Sequence, residues 1–200
     1  MKNAIAHLLK CEEKFQSIVD LYGEPTFVQR PPGFETLCLL ILEQQVSIDS
    51  AKATFNRIKA AIPDFSPETV MVFSDEEFRG CGVSRQKTKY LKALSEAILE
   101  GTLDIEGLAD KDVVTVREEL IKIKGIGHWT IDVYLMFCLQ SPDIIPLGDI
   151  AVVNTIKELF DIHDKEAMAV YAENWKPHRS AATFFLWHYY LQKRGRKQPY

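Results

Sequence analysis

The sequence has few cysteines, and none stand together. Cys11, Cys38, Cys81 and Cys138 are scattered over 200 residues, and no pair has the close spacing of a zinc site or an iron–sulfur run. They read as reduced core thiols of a reducing compartment. No apolar run is long enough to span a membrane. The amphipathic start, which carries Glu12 and Glu13, lacks the apolar region and the small-residue cleavage site of a signal peptide. Sustained period-two alternation and hairpin signals are missing, which argues against a sheet. Internal repeats and low-complexity segments are missing too. Positive charge is not in excess: 24 Lys and Arg face 28 Asp and Glu, a formal net charge of −4. The total does not announce a nucleic-acid partner, although a local patch matters more than the sum.

What is present is helical punctuation. Apolar residues at helical spacing (Ile5, Leu8, Leu9, Phe15, Ile18, Val19, Leu21) predict a helix over 3–22, stopped by Gly23. Pro31, Pro32 and Gly33 make a loop, and 34–61 reads as one long helix ending before Pro63. Ser66-Pro67 is a cap followed by proline at the first helical position. Ser74 with Glu77 has the form of a capping box. Ser84 opens a helix that Gly101 stops, and Asp112 caps another. Residues 128–140 are apolar nearly all round, so that helix is expected to be buried. Pro142 and Pro146 bound a loop, Asp149 precedes a helix to about Phe160, Asp164 caps the next, and Pro177 opens the last. The tail, 192–200, is basic and expected to fray. The fold class is all-α.

One interruption stands out. In "IKIKGIGHWTIDVYLMF" (121–137) a Gly125-Ile126-Gly127 turn separates two apolar stretches. A helix, a Gly-apolar-Gly turn and a second helix form a helix–hairpin–helix. Glycines there permit positive φ and remove side chains that would hold a partner's backbone away. The N–H groups opening the second helix, at its positive end, suit a phosphate oxygen. Ile123 and Ile126 are expected to pin the turn to the core, with Lys122 and Lys124 outside. A C-capping glycine followed by a tight αα turn gives the same short pattern.

Five stretches carry a wider resemblance: "PGFETLCLLILEQQVSIDSA" (32–51), "GVSRQKTKYLKALSEAILEGTLD" (82–104), "LIKIKGIGHWTIDVYLMF" (120–137), "PLGDIAV" (146–152) and "WKPHRSAATFFLWHY" (175–189). In order and spacing the chain resembles the helix–hairpin–helix (HhH-GPD) DNA glycosylase superfamily. Within it, the chain is similar to the 3-methyladenine DNA glycosylase II (AlkA-like) family over most of 25–190. The resemblance implies a two-lobed helical catalytic unit with a cleft between the lobes, without the N-terminal β-domain of larger members. One lobe would be 31–120, the other 1–30 with 121–200.

By that resemblance Asp149 occupies the catalytic position. A fixed carboxylate there would stabilise an oxocarbenium-like sugar or orient water. An aspartate before a helix is also an ordinary N-cap, and one carboxylate can do both. Trp129 and Trp187 fall where the family has pocket tryptophans, whose faces attract a cationic alkylated purine. Core packing is the other reading of both. Gln45 matches the wedge that fills the gap left by a flipped base, and Gln44 beside it either supports the turn or contacts DNA. The DNA-contacting set is completed by Lys122, Lys124, Gly125, Ile126, Gly127 and His128. The resemblance also implies a sodium or potassium ion held by the backbone carbonyls of Ile121, Ile123 and Ile126, with no cofactor required for the chemistry.

Relatives that also cleave the DNA strand carry a lysine nucleophile just after the hairpin. Trp129 stands there, so lyase activity is not expected. Arg179 is expected to form a structural ion pair. A basic stripe is expected from Lys122, Lys124, the helix near Lys87 and the C-terminal tail. The expected partner is double-stranded DNA containing damaged bases, met by a monomer in the cytoplasm, associated with the nucleoid, or in a nucleus. Two alternatives stay open: another damaged base (uracil, a deaminated purine or an oxidised base), or a helix–hairpin–helix module that binds DNA without chemistry.

Overall fold

The computed structural model describes residues 2–196. Two helices, α1 (Lys2–Cys11) and α2 (Glu13–Tyr22), open the chain where apolar spacing predicts one. The interruption is Glu12. It is buried, has an extended backbone, and caps α2 by accepting from the Lys14 N–H. Its other oxygen accepts from the Tyr171 hydroxyl at 2.8 Å, 159 residues away. Burial and the nearby carboxylate push the Tyr171 phenol up to about 12. A break held by so distant a partner leaves no mark in the local pattern.

The expected helix 34–61 is likewise two, α3 (Phe34–Glu43) and α4 (Ile48–Ala61). Ser47 begins α4 as its N-cap, its hydroxyl accepting from the Ser50 N–H at 3.3 Å. At the end of α3, Glu43 is buried and takes a two-pronged ion pair from Arg30 at 2.9 and 3.0 Å, with side chains only 3% and 9% exposed. A carboxylate that deep would be costly without its guanidinium. The intervening turn, Gln44 to Val46, is thus held from both sides. Ser47→Ala removes one cap and is expected to cost about 1 kcal/mol. Thermal unfolding should therefore fall by roughly 2–4 °C. An unchanged midpoint would mean the break does not depend on Ser47.

The next helices follow their caps. They are α5 (Pro67–Val72) behind Ser66, α6 (Asp75–Gly80) behind Ser74 and α7 (Arg85–Leu99) behind Ser84. In the Ser74 capping box, the serine hydroxyl accepts from the Glu77 N–H while Glu77 accepts from the Ser74 N–H at 2.7 Å. A 3₁₀ turn (Glu106–Asp110) leads to α8 (Val113–Leu120), capped by Asp112. Beyond the glycine turn runs α9 (His128–Phe137), with 130–138 buried throughout. Then come α10 (Ile150–Phe160) behind Asp149, α11 (Lys165–Ala172) behind Asp164, and α12 (Arg179–Gln192). Pro177 does not open α12. It follows a cis peptide bond, and the helix starts two residues later. Among the described residues there is no strand, and no helix is long and apolar enough to cross a membrane. Of the cysteines, Cys38, Cys81 and Cys138 are buried, but Cys11 is exposed at the end of α1 and is not a core thiol. Part of the basic tail, 197–200, lies outside the described residues.

Contacts divide the chain into two compact units, Arg30–Tyr134 and a second made of Met1–Gln29 with Leu135–Tyr200. The glycine turn groups with the helices before it, whereas the sequence reading put 121–134 with the C-terminal helices. In the first unit α5 packs on α7 and α3 on α4. In the second, α10 packs on α12 over a core that includes Phe15, Ile156, Trp175 and Phe185.

Candidate functional site

Asp149 is first of all an N-cap. Its Oδ1 accepts from the N–H groups of Ala151 at 2.9 Å and Val152 at 3.1 Å. The same oxygen accepts from the indole N–H of Trp187 at 3.1 Å, across 38 residues of sequence. The carboxylate is therefore fixed by three donors at the positive end of α10, while remaining half-buried rather than sealed. The Trp187 ring stacks on Phe137 (centroids 5.6 Å, interplanar angle 16°) and meets Phe184 edge-on. Core packing and a polar role thus coexist in this tryptophan. Phe137 and Phe184 were not singled out by the sequence. An aromatic in a buried helix carries no mark of which ring it will stack on.

The loop behind this site is held by Arg179, which forms the expected structural ion pair. Its Nε and one terminal nitrogen donate to the two Asp143 carboxylate oxygens at 2.8 and 2.9 Å, and its other terminal nitrogen reaches Glu173. Burial alone would push the Asp143 carboxyl up. The Arg179 hydrogen bonds and charge outweigh it and hold the group below the ordinary carboxylate range.

The glycine turn is built in the other unit. Gly125 has φ +95°, and a Cβ there would lie 2.1 Å from Cγ of Tyr90. Both conformation and packing demand glycine at this position. Gly127 differs: its φ is outside the left-handed region, and a Cβ would meet nothing within 4 Å. Ile123 and Ile126 are buried beneath the turn, and Lys122, Lys124 and His128 are exposed around it. The first N–H groups of α9 have no intrahelical acceptor and point out of its positive end. Arg117 on α8 pairs with Asp132 on α9 at 2.5 Å and ties the two helices of the hairpin together. Burial raises the Asp132 carboxyl despite the opposing effect of Arg117. Trp129 is half-buried in the first turn of α9.

Gln44 belongs to this turn. Its side-chain N–H₂ donates to the Gly125 carbonyl at 2.8 Å and to the Thr130 hydroxyl at 3.0 Å. Gln45, next to it, is exposed and has φ +58°, a left-handed conformation unusual for a residue with a side chain. Such a backbone costs about 1–2 kcal/mol and must be held by its surroundings. Lys87 does not join a solvated basic stripe. Its ammonium, half-buried, donates to the carbonyls of Leu42 at 2.6 Å and Gln44 at 2.8 Å, and burial lowers its pKa. In the tail, Lys193 pairs with Glu158 and Arg194 covers the Tyr190 ring.

The turn has an obligatory first glycine and an open second one, and in the other unit a capped carboxylate lies beside an indole. The family comparison is specific: the model of the "HhH-GPD superfamily base excision DNA repair protein" matches residues 38–180, and the chain belongs to that superfamily. Among curated proteins it is 29% identical to DNA-3-methyladenine glycosylase 1 of Schizosaccharomyces pombe, over 94% of this chain and 86% of the relative. Among solved structures it is similar to an S. pombe 3-methyladenine DNA glycosylase in complex with abasic DNA, with TM-score 0.84, 29% identity, and coverage of 92% of this chain and 95% of that one. A DNA-3-methyladenine glycosidase from Bacillus halodurans gives TM-score 0.81 at 28% identity, covering 96% of this chain and 91% of that one.

Proposed function

We propose that this chain is a monofunctional DNA glycosylase of base excision repair that removes alkylated bases such as 3-methyladenine. The observation that carries the reading is the fixed carboxylate of Asp149, held by two backbone N–H groups and the Trp187 indole in a chain of this superfamily. Membership and the similarity to the S. pombe and Bacillus halodurans 3-methyladenine enzymes support the substrate class.

The chemistry needs little more than these groups. An alkylated purine is cationic and leaves with the electron pair of the C1′–N bond as a neutral base, so no general acid is required. The sugar acquires positive character as the bond stretches, and a carboxylate already oriented by three donors stabilises it without reorganisation. Water then bonds to C1′ and loses a proton. Trp187, whose indole reaches Asp149, would supply an aromatic face to the electron-poor ring. The N–H groups of Gly127 and of the first turn of α9, with Lys122 and Lys124, would hold DNA phosphates. The open space at Gly127, which neither backbone nor packing requires, supports that role. Gln45 would fill the stack after flipping.

A sodium or potassium ion would sit on the Ile121, Ile123 and Ile126 carbonyls. These are neutral oxygen ligands of the right kind for an alkali ion. The Ile123 carbonyl accepts from the Ile126 N–H at 3.0 Å, and a carbonyl oxygen has two lone pairs. A bound ion would lock the turn and add positive charge beside a phosphate.

The test is incubation with duplexes carrying single defined lesions, followed by hot alkali to break abasic sites. Breaks at alkylated bases are expected. Breaks only with uracil, a deaminated purine or an oxidised base would reassign the substrate. None with any lesion, despite salt-sensitive binding, would leave a DNA-binding module. Trp187→Phe keeps the stack on Phe137 but removes the indole donor from Asp149. Its single-turnover rate should fall about tenfold, the scale of one hydrogen bond to a charged group. A rate equal to wild type would mean Asp149 needs no such partner.

A further inference from the structure

Resting on the glycosylase reading above, we infer that Lys87 is a positioning residue for the DNA wedge. Its buried-side ammonium holds the end of α3 so that Gln45 is presented in its left-handed backbone and in register with the glycine turn.

Lys87 and Tyr90 lie three residues apart on α7, one turn of the same helix. Lys87 binds the Leu42 and Gln44 carbonyls, two of the acceptors that the last turn of α3 leaves without helical partners. Gln44 in turn binds Gly125 and Thr130. Gly125 rests where its missing Cβ would strike Tyr90. The chain of contacts is closed: α7 to the end of α3, the end of α3 to the glycine turn, the glycine turn back to α7. Gln45 is the exposed residue at the one strained point of this circuit. A cation serves here better than a neutral donor, because it binds two carbonyls at the negative end of a helix dipole at once. Without it those carbonyls lose their partner, and Gln45 is free to relax to an ordinary backbone with its side chain elsewhere.

The test uses a duplex with a tetrahydrofuran abasic analogue facing 2-aminopurine, whose fluorescence reports filling of the stack. Excision is also measured on the same alkylated strand, in duplex and single-stranded form. Lys87→Met and Gln45→Ala should each lose most of the fluorescence change. Each should lower excision from duplex about tenfold, the scale of one charged hydrogen-bond set. On single strands, where nothing must be wedged, excision should stay within about twofold of wild type, and the double variant should be no worse than either single one. Lys87→Arg should restore a large part of the signal. A Lys87→Met protein with the full fluorescence change would overturn the inference. So would one whose single-strand excision falls in parallel, or a double variant with additive losses, since those mark general structural damage. Should Lys87→Met unfold at the assay temperature, Lys87→Gln, which keeps one donor arm, replaces it under the same criteria. A wild type that changes the fluorescence but excises nothing removes the glycosylase reading and leaves the wedge inference standing. A wild type that excises without a fluorescence change does the reverse.

Discussion

Asp149→Asn is expected to lower base release from an alkylated duplex by about 10²–10³-fold, the scale of losing one preorganised electrostatic stabiliser, while the protein stays folded. Asparagine is nearly as good an N-cap as aspartate. Its side-chain oxygen can still accept from Ala151, Val152 and Trp187, the three donors on Oδ1. The substitution therefore removes charge and little else. The melting midpoint should shift by only a few degrees, and binding to undamaged duplex should be unchanged. Asp149→Ala is the contrasting variant: it loses the cap as well, about 1 kcal/mol, for a similar loss of rate. Activity of the Asn variant within tenfold of wild type would show that the carboxylate only caps α10, and the catalytic group would have to be sought elsewhere.

The second large effect separates the two glycines of the turn. Gly125→Ala forces a Cβ into a φ of +95° and into the Tyr90 ring. A left-handed alanine costs about 1–2 kcal/mol, and overpacking about 1–3 more. A loss of roughly 2–5 kcal/mol is expected, readable as a lower midpoint in urea, with the Gln44 contact to the Gly125 carbonyl displaced. Gly127→Ala meets no obstacle in the protein, so its stability should change by less than about 0.5 kcal/mol or even rise slightly as the unfolded chain loses freedom. Its cost should appear only in DNA affinity, as an added methyl group between the α9 N–H groups and a phosphate. Equal destabilisation by both alanines would refute the assignment of one glycine to the fold and the other to the partner.

The positions of most caps, and of the glycine turn itself, were legible in the sequence. Ser74 with Glu77, and Ser84, Asp112, Asp149 and Asp164, cap helices through contacts within three residues of themselves, so their energetics are local and their patterns visible. The same locality made the sequence ambiguous about purpose. It placed Asp149 before a helix and Gly125 in a turn, but an N-cap and a tight turn need nothing further. Where the local pattern is continuous, as over 3–22 and 34–61, it predicted one helix each time and there are two.

Tertiary structure decided what interrupts and aims these elements. The break at Glu12 depends on Tyr171, the orientation of Asp149 on Trp187, and the link of Gln44 to Gly125 on a partner 81 residues away. Lys87, by its residue type and place an ordinary solvated lysine, becomes the cap of a helix it does not belong to. By itself the sequence determined which segments are helical, where most begin, and the kind of chemistry their residues can support, because those follow from side-chain type and short-range spacing. Packing alone determined which distant groups meet, since a hydrogen bond across dozens of residues exists only once the core has brought both partners together and excluded the water that would otherwise satisfy them.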